Sequence, residues 1–498
     1  MKPITFIRTL ILCALILAAC STPQAEPAPI PTQVESAPTP SPTLGITLSP
    51  TMEPSPTASL TPTAAPLPQL QYVISANLDY AYHHLYASQS ISIPNLTNES
   101  FSELMLVVQP NWHSDIFHLL DISWEDGSPV ENYSLDGIRL LIPLDEALPP
   151  GEALTLSLNY ELALPPLVVS DDIGPTPFGY TTRQINLVDW YPFVPPYEQG
   201  QGWVVHNPWF YGEHLVYPMA DFDVSVSLSN APDGTIIAAS ALDIGDDESH
   251  RYHLEQGRNF VWSVSPSYHV FEQQVGATTV LGYVFYQYTS PGEAAFDATV
   301  DALKLYSEIY GTYPYDSLTM VEADFMHGME YQGLHFLSRG FFDIFDDSVE
   351  NYLISIAAHE TAHQWWYGMV GNDQALEPWL DEALATYSER LFYEHLYPDS
   401  LDWWWYARVS YYHPSGWVDS VLHYTDGYLP YRDAVYLRGA LFMEDLRTSI
   451  GDEAFFAFLR DYADTYRYQI VTRDDFFGLL AEHTDADLTE LLAMYFEK

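Results

Sequence analysis

Two histidines and two glutamates carry the first chemical expectation. His359-Glu360-Thr361-Ala362-His363 sets two imidazoles four residues apart. On a helix those positions share a face, so both rings can reach one ion, and Zn²⁺ at about 2.0–2.1 Å suits them. Glu360 follows the first histidine and reaches the open side of such an ion without being a ligand, which is the place of a general base. A catalytic zinc needs a third protein ligand. Glu382 is the candidate, within Trp379-Leu-Asp-Glu-Ala-Leu-Ala-Thr-Tyr387. Two His, one Glu and an open fourth position describe a hydrolytic site with one zinc per chain.

Two helices must aim these groups. The run from Tyr352 to Glu360 lacks breakers and follows Asp347-Ser348, a plausible cap. Pro378 suits the first turn of a second helix, which would bring Glu382 to the metal. Thr279–Tyr286 and Ser317–Asp324 have strand character, Ala294–Tyr310 has helical spacing, and the chain reads as largely helical from Ser348 onward. Residues 71–268 are mainly period two, as in Leu154–Leu162 and Phe222–Ser229, broken by Pro, Gly, Asn and Asp. The expected architecture is an N-terminal antiparallel β-domain over 71–268, then an α+β catalytic domain over 269–498. Asp189–Tyr197, rich in Pro and aromatics, reads as irregular and packed.

These motifs resemble the aminopeptidase N family of gluzincin metallopeptidases. The likeness rests on the pentad with His363-Gln-Trp-Trp-Tyr-Gly368, on Trp379-Leu-Asp-Glu382, on Tyr313-Pro-Tyr315, on Gly328-Met329-Glu330-Tyr331 and on Tyr436-Leu-Arg-Gly439. It implies a thermolysin-like zincin catalytic domain that removes N-terminal amino acids from peptides. By the same resemblance Glu330 binds the free α-amine, Gly328 and Met329 present backbone groups to the substrate, and Tyr436 hydrogen-bonds the oxyanion. Tyr331 stands where many members have Asn, and Arg438 replaces a Lys, keeping the charge but not its shape. The β-domain lacks the family's usual substrate-contacting Gln/Glu motif, so no site residue is carried over from it. The chain stops soon after the catalytic domain, so it reads as a member lacking the large C-terminal helical domain.

The remainder of the chain bears on location and partners. Lys2 and Arg8 precede an apolar run that ends in Leu17-Ala18-Ala19-Cys20. That run is short for a membrane span and fits a signal peptide over residues 1–20. Its end resembles a bacterial lipobox, which implies cleavage before Cys20, lipidation of its thiol, export, and anchoring to the outer face of a bacterial membrane. Residues 21–70 are Pro, Thr, Ser and Ala in low-complexity mixture and are expected to form a disordered linker. Cys13 and Cys20 are the only cysteines, so no disulfide framework holds the body. The net charge of −50 speaks against nucleic-acid partners. Two alternatives remain at this level: an endopeptidase with the same zinc site, or a surface binding protein with a relict one. Glu330 argues against the first, and intact Glu360 and Tyr436 against the second. The sequence leaves the oligomeric state open.

Overall fold

The computed structural model describes residues 69–167, 177–246, 249–422 and 427–497. The signal segment with Cys20, and the linker up to residue 68, lie outside the described residues. The body is built from two successive parts, a β-rich one up to Ser265 and an α+β one from Tyr268.

The first part is organised by a six-stranded sheet in the order His250–Gly257, Ala220–Ser229, Gln71–Asp79, His84–Pro94, Ala153–Ala163, Phe117–Trp124. Alternation sets its faces. Tyr72, Ile74, Ala76 and Leu78 point inward along the first strand while their neighbours face outward. Pairing is antiparallel throughout this sheet except between Gln71–Asp79 and Ala220–Ser229, which run parallel. The long chain segment between those two strands makes a parallel crossover possible. A three-stranded, a four-stranded and a two-stranded sheet accompany it in this part. The Asp189–Tyr197 stretch lies inside this core: Trp190, Tyr191 and Phe193 are buried, and Trp190 Nε1 donates to the Phe260 carbonyl at 3.0 Å.

The second part holds a five-stranded sheet in the order Tyr268–Val275, Thr278–Phe285, Ser317–Ala323, Leu334–Ser338, Met329–Tyr331. The Thr289–Ile309 helix joins the parallel pair Thr278–Phe285 and Ser317–Ala323. It begins several residues before the periodic pattern does, because Pro291 sits in its first turn, where proline costs no hydrogen bond. Beyond it the chain is mostly helical, with Tyr352–Ala362, Trp379–Leu396, Arg438–Ile450 and Asp452–Thr465 as main elements.

The two parts are tied at specific points. Tyr315 packs against both cores, and its hydroxyl donates to the Gln256 carbonyl at 2.6 Å. Arg258, buried, donates from Nε to the carbonyl of Gly368 and from Nη1 to that of Tyr217, joining the loop after the histidine helix to the β-part. Among the described residues no helix is long and apolar enough to cross a membrane.

Candidate active site

The Tyr352–Ala362 helix is buried on nearly every side, which a breaker-free sequence apolar apart from a few polar residues and the site residues His359 and Glu360 permits. Its cap is Asn351, whose side chain accepts from Leu353 N at 3.0 Å. Ser348, the cap read from sequence, lies three residues too early and instead accepts from Glu350 N at 3.1 Å. His359 sits in the last turn and His363 just past the end, so their Nε2 atoms converge to 3.1 Å. Glu382 comes from the first turn of the Trp379–Leu396 helix, which Pro378 precedes. Its Oε2 lies 3.2 Å from His359 Nε2 and 3.5 Å from His363 Nε2.

This near-equilateral triangle tests the fit of a metal. Tetrahedral ligands at the zinc–nitrogen distance stand about 3.3 Å apart, close to all three sides. The ring tautomers agree. His363 Nδ1 bonds the Trp366 carbonyl at 2.9 Å, so that nitrogen carries the proton and Nε2 offers its lone pair inward. His359 Nδ1 bonds Glu389 Oε1 at 2.9 Å, with the same consequence. Glu382 Oε2 is buried with no hydrogen-bond donor. Three ligand atoms converging on one point, the carboxylate one without a hydrogen-bond donor, fit a divalent zinc.

Glu360 stands beside the triangle. Its Oε2 is buried and unpartnered, and burial pushes its carboxyl up to about 8 against the pull of His359 and His363. Gly328 explains how it is accommodated: a Cβ there would lie 1.9 Å from Glu360 Oε1, so only glycine leaves room for the carboxylate. Tyr436 reaches the site from a π-helical turn, Asp433–Leu437, and donates to Glu382 Oε1 at 2.5 Å. Arg438 does not reach it; its Nη2 donates to the Met494 carbonyl at 2.7 Å.

Glu330 lies on the short edge strand Met329–Tyr331, registered against His335. Its Oε1 accepts from Gln374 Nε2 at 3.2 Å, and the same amide donates to Asp381 Oδ2 at 2.9 Å. Burial raises the Glu330 carboxyl above its usual range. Ligand atoms of Glu330, Glu360 and His363 lie within 4.8 Å of one another. The structure therefore brings His359, Glu360, His363, Glu382, Tyr436, Glu330 and Gly328 together, with Met329 beside them at the wall of an adjoining cavity. Cys20 lies outside the described residues.

Several residues at the site were not read from sequence. Glu389 follows Glu382 by seven positions, two turns on along the same helix face, and that spacing was the available signal. It accepts from Trp404 Nε1 at 3.0 Å and takes Arg408 in a bidentate pair. Although burial opposes ionisation, Arg408 and His359 hold its carboxyl down to about 2. Gln364 ties the histidine helix to the Glu330 strand, donating to the Tyr331 carbonyl and accepting from Gly333 N, both at 2.9 Å. Glu213 comes from the β-part, from which the sequence carried over no site residue: its carboxylate lies within 4.8 Å of those of Glu330 and Glu382. Burial raises it well above its ordinary value. Among the described residues no Lys or Arg pairs with Glu213, Glu330, Glu360, Asp381 or Glu382. So dense a set of buried acids calls for cations from outside the chain.

Comparison with known proteins agrees with this geometry. The model of the Peptidase family M1 domain matches residues 294–495. Aminopeptidase M1-D of Oryza sativa subsp. japonica is 27% identical over 230 residues, covering 42% of this chain and 26% of that protein. Aminopeptidase N of Lactobacillus helveticus is 24% identical over 306 residues, covering 55% of this chain and 35% of that one. The chain thus spans about a quarter to a third of the length of these curated relatives. The solved M1 zinc metallopeptidase of Deinococcus radiodurans has the same fold, with a TM-score of 0.64, 20% identity, and coverage of 86% of this chain and 94% of that one. Residues 294–495 thus match the Peptidase family M1 domain, the two-part fold is that of a solved M1 zinc metallopeptidase, and the chain is similar to the aminopeptidase N-like gluzincins.

Proposed function

We propose that this protein is a zinc-dependent aminopeptidase, a hydrolase that removes the N-terminal residue of peptides. The observation that carries the reading is the close pair of carboxylates, buried Glu330 and half-buried Glu213, beside a zinc-fitting triangle. Two carboxylates so close in a buried place repel unless a cation lies between them. The α-ammonium of a peptide is such a cation, and charge-assisted hydrogen bonds would hold it there. With the amine fixed, only the first peptide bond reaches the triangle.

His359, His363 and Glu382 would hold the ion. Zinc, when bound, supplies Lewis acidity toward the attacking water and the scissile carbonyl. Glu360 accepts the water's proton, and its raised affinity for protons suits it to carry that proton to the leaving amine. The Tyr436 hydroxyl, on Glu382 in the free protein, is within reach to donate to the developing oxyanion instead. Glu389 and the Trp366 carbonyl keep both imidazoles in the ligating tautomer. A related solved structure, of the Deinococcus radiodurans enzyme's E323A mutant, is described with a Tyr-Ser-Ala substrate, which supports a peptide as the ligand class here.

For cellular location, the Leu17–Cys20 sequence supports export and lipid attachment at Cys20, with residues 21–70 as tether to the outer face of a bacterial membrane. The activity is tested by incubating zinc-loaded protein with one peptide in free-amine and N-acetylated forms. Loss of the first residue from the free form alone supports an aminopeptidase. Equal internal cleavage of both forms would establish an endopeptidase.

A further inference from the structure

A cavity of about 440 Å³ is bordered by Glu330 and Glu213 and is lined by residues of both the β-part and the catalytic part. Its walls are largely apolar, with Pro110, Pro166, Phe178, Trp209, Tyr331 and Tyr367 among them. Asp189 also lines it. This aspartate stands in a left-handed backbone conformation (φ 49°), which Asp tolerates better than most residues. The Tyr217 hydroxyl donates to its Oδ1 at 2.5 Å, and Oδ2 has no partner among the described residues. No Lys or Arg lines the cavity.

Resting on the aminopeptidase reading, we propose that this cavity receives the side chain of the N-terminal residue, that Asp189 pairs with a cation at that side chain's end, and that the enzyme therefore prefers N-terminal Lys and Arg. The placement follows from connectivity. The α-amine and the side chain leave the same Cα, so a cavity bordering the amine anchor takes that side chain. An exopeptidase has no earlier residue to place there. The walls suit a long aliphatic stem, and aromatic faces attract a cation. A Leu or Phe side chain would instead cover the Asp189 carboxylate without replacing the water it displaces. Burial raises the Asp189 carboxyl to about 6, so it is mostly ionised at neutral pH and would be more so beside a cation.

The test uses zinc-loaded protein and the β-naphthylamides of Lys, Arg, norleucine, Leu and Phe. Norleucine has the lysine stem without the ammonium. The expected result is a kcat/KM for Lys at least ~10-fold above norleucine, as one charge-assisted contact implies, with Arg likewise above Leu. Asp189→Asn, which keeps the shape and tolerates the same φ, should bring the Lys-to-norleucine ratio close to one. Competitive inhibition of the unaltered enzyme by lysinamide against norleucinamide gives the same comparison without a variant. Turnover of all substrates with norleucine equal to or better than Lys would overturn this specificity while leaving the aminopeptidase standing. So would a ratio that Asp189→Asn does not move. No turnover of any of them would remove the aminopeptidase reading, and this inference with it.

Discussion

At the scale of single residues, the ligands and the group behind them should separate cleanly by experiment. His359→Ala, His363→Ala and Glu382→Ala each remove one corner of the triangle, and metal analysis of each purified variant should show loss of the roughly one zinc per chain that three ligands imply. Near-normal zinc in all three would show that the ion, if any, sits elsewhere. Glu389→Gln is gentler. It keeps the shape but weakens the acceptor that fixes the His359 ring, so zinc affinity, read by competition with a chelator, should fall by about 10–100-fold rather than vanish. An unchanged affinity would mean that His359 is oriented by packing alone.

At the scale of elements, the site depends on one close approach between a strand lead-in and a helix. Gly328→Ala would drive a methyl into the Glu360 carboxylate while leaving the triangle intact. Zinc content should stay near that of the unaltered protein while kcat/KM falls by about 100-fold, the order expected when a reacting group moves by an ångström. A fully active Gly328→Ala would show that Glu360 has room to spare. The same scale explains what the sequence made legible. His359, Glu360 and His363 share one helix and Glu382 begins the next, so local periodicity and one family motif located them. Glu213 and Asp189 belong to loops of the β-part, more than 100 residues before the ligands, and only the folded contact between the two parts brings them to Glu330. The parallel pairing of Gln71–Asp79 with Ala220–Ser229 was hidden for a similar reason, since strand alternation is identical for either direction. The misplaced cap at Ser348 shows the remaining ambiguity: Ser and Asn are both good caps, and the one directly before the first helical residue is used.

At the scale of the whole molecule, the chain carries a net charge of −50. Cys20→Ser should shift the protein from the membrane to the soluble fraction or leave its precursor unprocessed; an unchanged distribution and mass would contradict lipid attachment there. The same negative field would favour the approach of basic peptides, an effect that salt should weaken. The central claim, that the molecule acts on peptide N-termini, is tested most directly by Glu330→Gln. The substitution keeps size and hydrogen bonding but removes the charge that faces the α-ammonium, and it touches neither Glu360 nor the ligands. Losing one charge-assisted contact weakens transition-state binding by roughly 1.5–3 kcal/mol, or ~10–150-fold in kcat/KM. The account predicts that loss for a free-amine peptide, normal zinc content, and no comparable loss for whatever slow cleavage the N-acetylated peptide undergoes. A Glu330→Gln protein that cleaves the free-amine peptide at the unaltered rate would contradict it.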